Sequence, residues 1–242
     1  MADRQSHPAE ADDPYCLRED EAARLLVGHP WRRFVVVGDS IAEGIGDPCP
    51  GYPDEPWCDR IAAELRRESA DEFAYLNLGT ANTPAAEVRD TQLAAALEFR
   101  PDLALVACGG YDILRFSYDA QAVTSALREI VTAFAAAGAD VITIGLFDGS
   151  RAPSMPEEFR EPLRDRLHDL SRRTERIAAE FGALHVSMTS HPASGDADVY
   201  SADPRHGSMR GHAISAAETI RRLGSHLDVA GRAAGTRART AD

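Results

Sequence analysis

The sequence predicts a doubly wound α/β protein, a five-stranded parallel sheet held between two layers of helices. Three observations carry this. Short apolar runs, 34–37 and 103–107 among them, read as strands buried on both faces. Between the runs, apolar residues recur at helical spacing, which marks amphipathic helices. Glycines close segments of both kinds. Parallel strands need crossovers, and right-handed crossovers place helices on both faces of the sheet.

In chain order, 1–14 is polar and acidic and is expected to be disordered. Residues 18–27 read as a short helix with Leu25 and Leu26 as its apolar contacts, and 34–37 as the first strand. Residues 47–56 hold four prolines and read as a long loop. Trp57, Ile61 and Leu65 repeat every fourth residue, one face of a helix over 57–68. A second strand over 73–78 ends at Asn77-Leu78-Gly79, and Pro84 opens a helix that runs to residue 99. The third strand, 103–107, ends at Gly109-Gly110. A helix over 120–137 is closed by Gly138, and 141–146 is the fourth strand. A long helix over 156–181 stops at Gly182, 184–187 is the fifth strand, and 208–223 is the last helix. Residues 228–242 read as a flexible tail, leaving 15–227 as one domain.

Composition narrows the function. The 242-residue chain is long enough for one sizeable core. Its net charge of −13 argues against nucleic acid and anionic membrane surfaces as partners. No apolar stretch approaches a membrane span. The first residues lack the basic start and apolar middle of a secretory signal, so a cytoplasmic location is expected. Cys16, Cys49, Cys58 and Cys108 form no CxxC pair and no zinc-ligand spacing with histidine. Neither a metal nor an organic cofactor is expected. Cys49 and Cys58 share a loop and are able to pair under oxidation, but free thiols fit a reducing compartment better.

The chemistry-bearing residues lie at strand ends, where ligands of open α/β sheets collect. The first strand delivers Gly38-Asp39-Ser40, the second Gly79, and the third Gly109-Gly110-Tyr111-Asp112. A lone Gly-Asp-Ser reads as an ordinary loop. What changes the reading is Asp203-Pro204-Arg205-His206 near the far end, which supplies a base and its orienting carboxylate to a serine nucleophile. Gly79 suits a plain turn as well as a backbone N–H aimed at an oxyanion.

At these residues the chain resembles the SGNH/GDSL-type hydrolases, serine esterases and lipases with a flavodoxin-like three-layer fold. The resemblance covers roughly 33–223. Gly38-Asp39-Ser40 matches the first block of that family, Gly79 the second, and Asp203 with His206 the last. Gly211-His212-Ala213-Ile214 is similar to the start of its final helix. The third block, Gly-x-Asn-Asp, reads Gly109-Gly110-Tyr111-Asp112 here, so Tyr111 stands where the family has its oxyanion asparagine. A tyrosine hydroxyl also donates, from a longer and bulkier side chain.

The resemblance implies acyl transfer. His206 takes the Ser40 proton, Asp203 orients the imidazole, and Ser40 attacks an ester or thioester carbonyl of a small molecule. The N–H groups of Ser40 and Gly79, with Tyr111, would hold the oxyanion. Two alternatives stay open: an acyltransferase or tailoring enzyme of specialised metabolism, and a catalytically impaired binding protein. His212 is a rival base inside a helical pattern, where packing explains it better. His168 and His185 read as structural, Asp39 as a brace for the nucleophile loop, and Glu43 and Asp112 as hydrogen-bonding loop carboxylates. Arg205 is either a solvent-exposed side chain or a positive charge at the pocket mouth.

Overall fold

The computed structural model describes residues 9–203 and 205–239. Five strands form one all-parallel sheet: β1 (Arg33–Gly38), β2 (Ala74–Asn77), β3 (Leu103–Ala107), β4 (Asp140–Gly145) and β5 (Leu184–Ser187). Their order is β2-β1-β3-β4-β5. The chain leaves β1 for one edge and returns at β3 to build toward the other. The strand order therefore reverses between β1 and β3, and a crevice opens above their carboxyl ends.

Alternation along the strands feeds two cores. Phe34, Val36, Leu105 and Ile142 face one side. They pack on α1 (Glu21–Leu26), α3 (Trp57–Glu68) and α9 (Met209–Arg239). Val35, Val37, Ala104 and Val106 face the other. There they meet α4 (Ala85–Thr91), α5 (Leu93–Glu98), α7 (Ala120–Ala136) and α8 (Glu157–Phe181). Residues Phe34 to Val37 are fully buried, as a central parallel strand requires.

Several local expectations are refined. The single helix expected over 84–99 divides at Gln92, which is buried and ties itself to the end of β1. Its Oε1 accepts the Gly38 N–H at 2.9 Å and its Nε2 donates to the Gly38 carbonyl at 2.9 Å. Two short helices follow strands directly, α2 (Ser40–Glu43) after β1 and α6 (Gly110–Ile113) after β3. Turns this short lack the periodic apolar face that sequence patterns detect.

Both ends of the chain are corrected where they are described. Residues 9–14 were expected to be disordered, but Glu10–Asp12 form a 3₁₀ turn and Asp13 is fully buried. Asp13 pairs with Arg210 at 2.7 Å and accepts the Tyr52 hydroxyl at 2.7 Å. A buried charge in the core requires such a partner. The tail expected from residue 228 continues α9 as helix to Arg239. Residues 1–8, 204 and 240–242 lie outside the described residues. Cys16, Cys49, Cys58 and Cys108 are buried thiols. Among the described residues no helix is long and apolar enough to cross a membrane, and no cluster of three or more metal-ligating side chains occurs.

Candidate active site

Ser40 opens α2 immediately beyond β1. Gly38 is fixed there by space: a Cβ would lie 2.0 Å from the Ala107 carbonyl of β3. Asp39 caps α2, its Oδ1 accepting the Ile41 N–H at 3.0 Å. Its Oδ2 accepts the Tyr111 N–H at 3.0 Å, so one buried carboxylate fastens the ends of β1 and β3 together. Burial pushes the Asp39 carboxyl up to about 6, against these hydrogen bonds and helped by the nearby Asp112 charge. Asp39 has the bracing role its sequence position suggested.

The second half of the site comes from the connection between β5 and α9. His206 Nε2 lies 2.9 Å from Ser40 Oγ. His206 Nδ1 lies 2.9 Å from Asp203 Oδ2 and 3.1 Å from Oδ1. The Asp203 carboxylate also accepts the His206 backbone N–H at 3.1 Å. Partial burial raises the Asp203 carboxyl, but the His206 hydrogen bond and the charges of His206 and Arg205 outweigh it. The net position is below the ordinary aspartate value. Serine, imidazole and carboxylate thus stand in one hydrogen-bonded line across a sequence gap of 166 residues.

This connection is held from the proline-rich loop and from the N-terminal segment. Asp47 Oδ2 accepts the Ala202 N–H at 2.7 Å, and the Asp47 carbonyl accepts the Met209 N–H at 3.0 Å. Arg210, buried at the start of α9, pairs with Asp13, Asp196 and Asp198 at 2.7, 2.9 and 2.7 Å. Sequence reading missed Asp47 and Arg210, because their partners are brought together only by the fold.

His212 is not placed as a base. The Trp57 N–H donates to its Nδ1 at 3.1 Å, so Nε2 carries the proton and faces the Ile45 carbonyl at 3.2 Å. Burial drives its pKa down to about 4. His168 lies 3.2 Å from Asp148 and His185 2.9 Å from Thr143, and neither histidine lines the cavity that holds Ser40. Glu43 accepts the Ala81 N–H at 2.6 Å and Asp112 the Ala85 N–H at 2.9 Å, the hydrogen-bonding roles expected of them, but from the short helices α2 and α6 and not from loops.

Ser40, His206, Tyr111 and Arg205 line one cavity of about 130 Å³. Its walls are Ile41, Ile144, Leu146, Met155, Leu163 and Met188, so the interior is apolar. Tyr111 is half-buried and borders this space. Its N–H is already given to Asp39, which leaves the hydroxyl as its free donor.

Gly79 is the correction. It is not part of the cavity lining. Its N–H donates to Asn77 Oδ1 at 2.9 Å, and a Cβ would lie 2.4 Å from the Glu43 nitrogen. The glycine serves close packing of β2's end against α2, not the cavity. From the same loop the residue that does line the cavity is Asn82, held at φ +61° in the left-handed region that asparagine tolerates. An asparagine in place of a glycine carries no motif, which is why the sequence concealed it.

The molecule is a doubly wound parallel sheet with a serine just beyond β1, at the point where the strand order reverses. Residues 36–214 match the model of the GDSL-like Lipase/Acylhydrolase family, and the chain belongs to that family. Solved structures share its fold. LAE5, an alpha/beta hydrolase enzyme from the metagenome of Lake Arreo in Spain, is 17% identical with a TM-score of 0.64, over 82% of this chain and 96% of that one. A catalytic mutant of Axe2, an acetylxylan esterase from Geobacillus stearothermophilus, is 19% identical with a TM-score of 0.65, over 82% and 95%. TesA is 20% identical with a TM-score of 0.64, over 79% and 98%. No curated protein sequence matches the chain.

Proposed function

We propose that the chain hydrolyses an ester or thioester of a small molecule through an acyl-enzyme on Ser40. One observation carries this reading: the 2.9 Å Ser40–His206 contact, continued to Asp203, opens on an apolar cavity. His206 Nε2 removes the Ser40 proton as Oγ attacks the carbonyl carbon. The tetrahedral oxyanion is held by the Ser40 N–H and by Asn82, with the Tyr111 hydroxyl as a third donor. As the carbonyl re-forms, the bond to the leaving oxygen or sulfur breaks, and His206 returns the proton to that atom. A water then gives its proton to His206 and its oxygen to the acyl carbon. Ser40 leaves, reprotonated by His206, and the acid is released. Asp203 keeps the imidazole in the tautomer with its proton on Nδ1 and steadies the transient imidazolium.

The test is turnover of p-nitrophenyl esters by the wild-type chain and by Ser40→Ala. The reading expects hydrolysis that disappears in the variant while the fold is kept. Unchanged turnover in Ser40→Ala overturns it.

A further inference from the structure

The loop that carries Asp203 and His206 is closed at its root. Tyr200 bridges to Gly207, the Ser201 N–H donates to the His206 carbonyl at 2.9 Å, and the Ser208 N–H donates to the Val199 carbonyl at 2.8 Å. Arg210 ties the two stems together just below this bridge. It belongs to the outgoing stem, and its Nη1 holds Asp196 at 2.9 Å and Asp198 at 2.7 Å on the incoming one. Its Nε is held from outside the loop, by Asp13 at 2.7 Å. The guanidinium is buried, so carboxylates and not solvent set its aim.

Asp13 does more than face Arg210. Fully buried, it also accepts the Tyr52 hydroxyl at 2.7 Å and the Tyr15 N–H at 3.0 Å. Burial alone raises its carboxyl, but the hydrogen bonds from Arg210, Tyr52 and Tyr15 outweigh it and hold it below the ordinary aspartate value. Its chain neighbours grip the same surroundings. The Glu10 N–H donates to the Gly51 carbonyl at 3.1 Å, and the Glu10 carboxylate pairs at 2.7 Å with Arg60. Arg60 in turn donates to the Pro53 and Glu55 carbonyls at 3.0 and 2.8 Å. Those residues belong to the proline-rich loop, whose Asp47 holds Ala202 and Met209. The Tyr15 ring meets the His191 ring edge-on, centres 4.8 Å apart, beside the turn Pro192–Gly195 that leads to Asp196. Residues 10–15 thus grip both supports of the base loop, the Arg210 cluster and the proline-rich loop. They precede the residues 36–214 that match the family model, so this hold is an addition to the matched domain.

We infer that Asp13 and Arg210 are positioning residues for His206, and that the segment 10–15 is a latch. Docked, it fixes the loop so that His206 Nε2 stands within hydrogen-bond reach of Ser40. Released, it leaves the imidazole misaligned while the sheet and the serine stay in place. The latch rests on the hydrolase reading above and adds to it what holds the base. Neither Asp13 nor Arg210 lines the cavity, so both act through the loop and not on the substrate. Misplacing a catalytic group by about 1 Å is enough to cost about a hundredfold in rate.

The experiment is a double-mutant cycle in the full chain. It reads the rate constant for Ser40 labelling by a fluorophosphonate, with kcat and KM for p-nitrophenyl butyrate beside it. Asp13→Asn keeps an acceptor for Tyr52 and Tyr15 but removes the charge that aims Arg210. It should slow labelling and lower kcat by about tenfold, with KM unchanged. In a His206→Ala background the same substitution should leave the labelling rate unaltered, because no base remains to be positioned. Glu21→Gln breaks a pair, 2.8 Å long, that ties the N-terminal part of the chain to Arg221 farther along α9. It should leave labelling and kcat at their wild-type values. Asp196→Asn with Asp198→Asn frees the same guanidinium from the loop side and should reproduce the loss; this pair carries the test where Asp13→Asn does not fold. Wild-type rates in the variant that folds overturn the latch. So does an equal slowing with and without His206, which marks a purely structural role. In both cases His206-dependent labelling of Ser40 in the wild type upholds the hydrolase reading, and a wild type not labelled at Ser40 overturns the two together.

Discussion

The two halves of the Ser40–His206 pair are built differently. The serine half is framed by the interior: Phe34 to Val37 of β1 are fully buried, and Asp39 is sealed between the ends of β1 and β3. The base half rides on a connection whose Asp203 side chain is 41% exposed, held by Asp47 and by the Arg210 cluster. A serine set by the sheet cannot move without moving the core. A histidine set by a loop is tuned by groups that belong to neither the sheet nor the motif. Damage to the groups that frame Ser40 should therefore cost stability as well as activity, and damage to the groups on the loop should cost chiefly activity.

The largest effect expected is on the base half. His206→Ala should lower kcat/KM by about 10⁴-fold, a barrier increase of about 5.5 kcal/mol, with the melting temperature almost unchanged. Steady-state kinetics and calorimetry on the same preparation check both statements. A large stability loss would erase the contrast between the halves.

Next comes the serine half. Asp39→Ala leaves buried N–H groups of Ile41 and Tyr111 without an acceptor, at a cost of about 3 kcal/mol. Urea unfolding should show it as a lower midpoint with an unchanged slope.

The two buried groups beside the site also give the fold opposing pH dependence. His212 is held to about 4, below its ordinary 6.5, so the unfolded chain binds this proton first. Its contribution is complete above 6.5 and is lost as pH falls toward 4. Asp39 lies at about 6, above its ordinary 3.8, so its contribution is present below 3.8 and is lost as pH rises through 6. Replacing His212 by Gln removes one side. The stability advantage of wild type over His212→Gln should shrink between pH 7 and pH 4.5 by about 2 kcal/mol. Equal advantages at both pH values would mean that His212 is not held neutral by its burial against Trp57 and Ile45.

A smaller change sharpens the comparison from within the loop. Asp47→Ala should lower kcat about tenfold through a displaced His206 while costing no more than about 1 kcal/mol in stability. Smallest is Tyr111→Phe: if the hydroxyl is one of several oxyanion donors, as proposed, its loss should lower kcat more than it raises KM. A change confined to KM would make Tyr111 a wall and not a donor.

The same division explains what the sequence revealed. The central strands β1, β3 and β4 were legible because central parallel strands are short continuous apolar runs, and the edge strands β2 and β5 because glycines and helical patterns bracket them. Ser40 and Asp39 were legible because a strand-end glycine must precede them in this fold. His206 with Asp203 was legible because a base and its carboxylate three residues apart form a compact pattern. Gly79 misled, since a glycine that lets β2 pack on α2 looks the same on paper as one that aims an N–H at a substrate. Asp47 and Arg210 were silent because each acts through partners distant in the chain, and Asn82 because it belongs to no motif. Asp13 was hidden in an acidic segment whose composition suggested disorder, and its pairing with Arg210 and Tyr52 makes it part of the core.

The central claim, that Ser40 is the nucleophile and His206 its activating base, is tested most directly by covalent labelling with a fluorophosphonate followed by intact-mass and peptide mapping. The account predicts one adduct per chain, on the peptide carrying Ser40, formed at least about 10³-fold more slowly in His206→Ala and not at all in Ser40→Ala. An adduct on another residue, or labelling of Ser40 at an unchanged rate without His206, would contradict it.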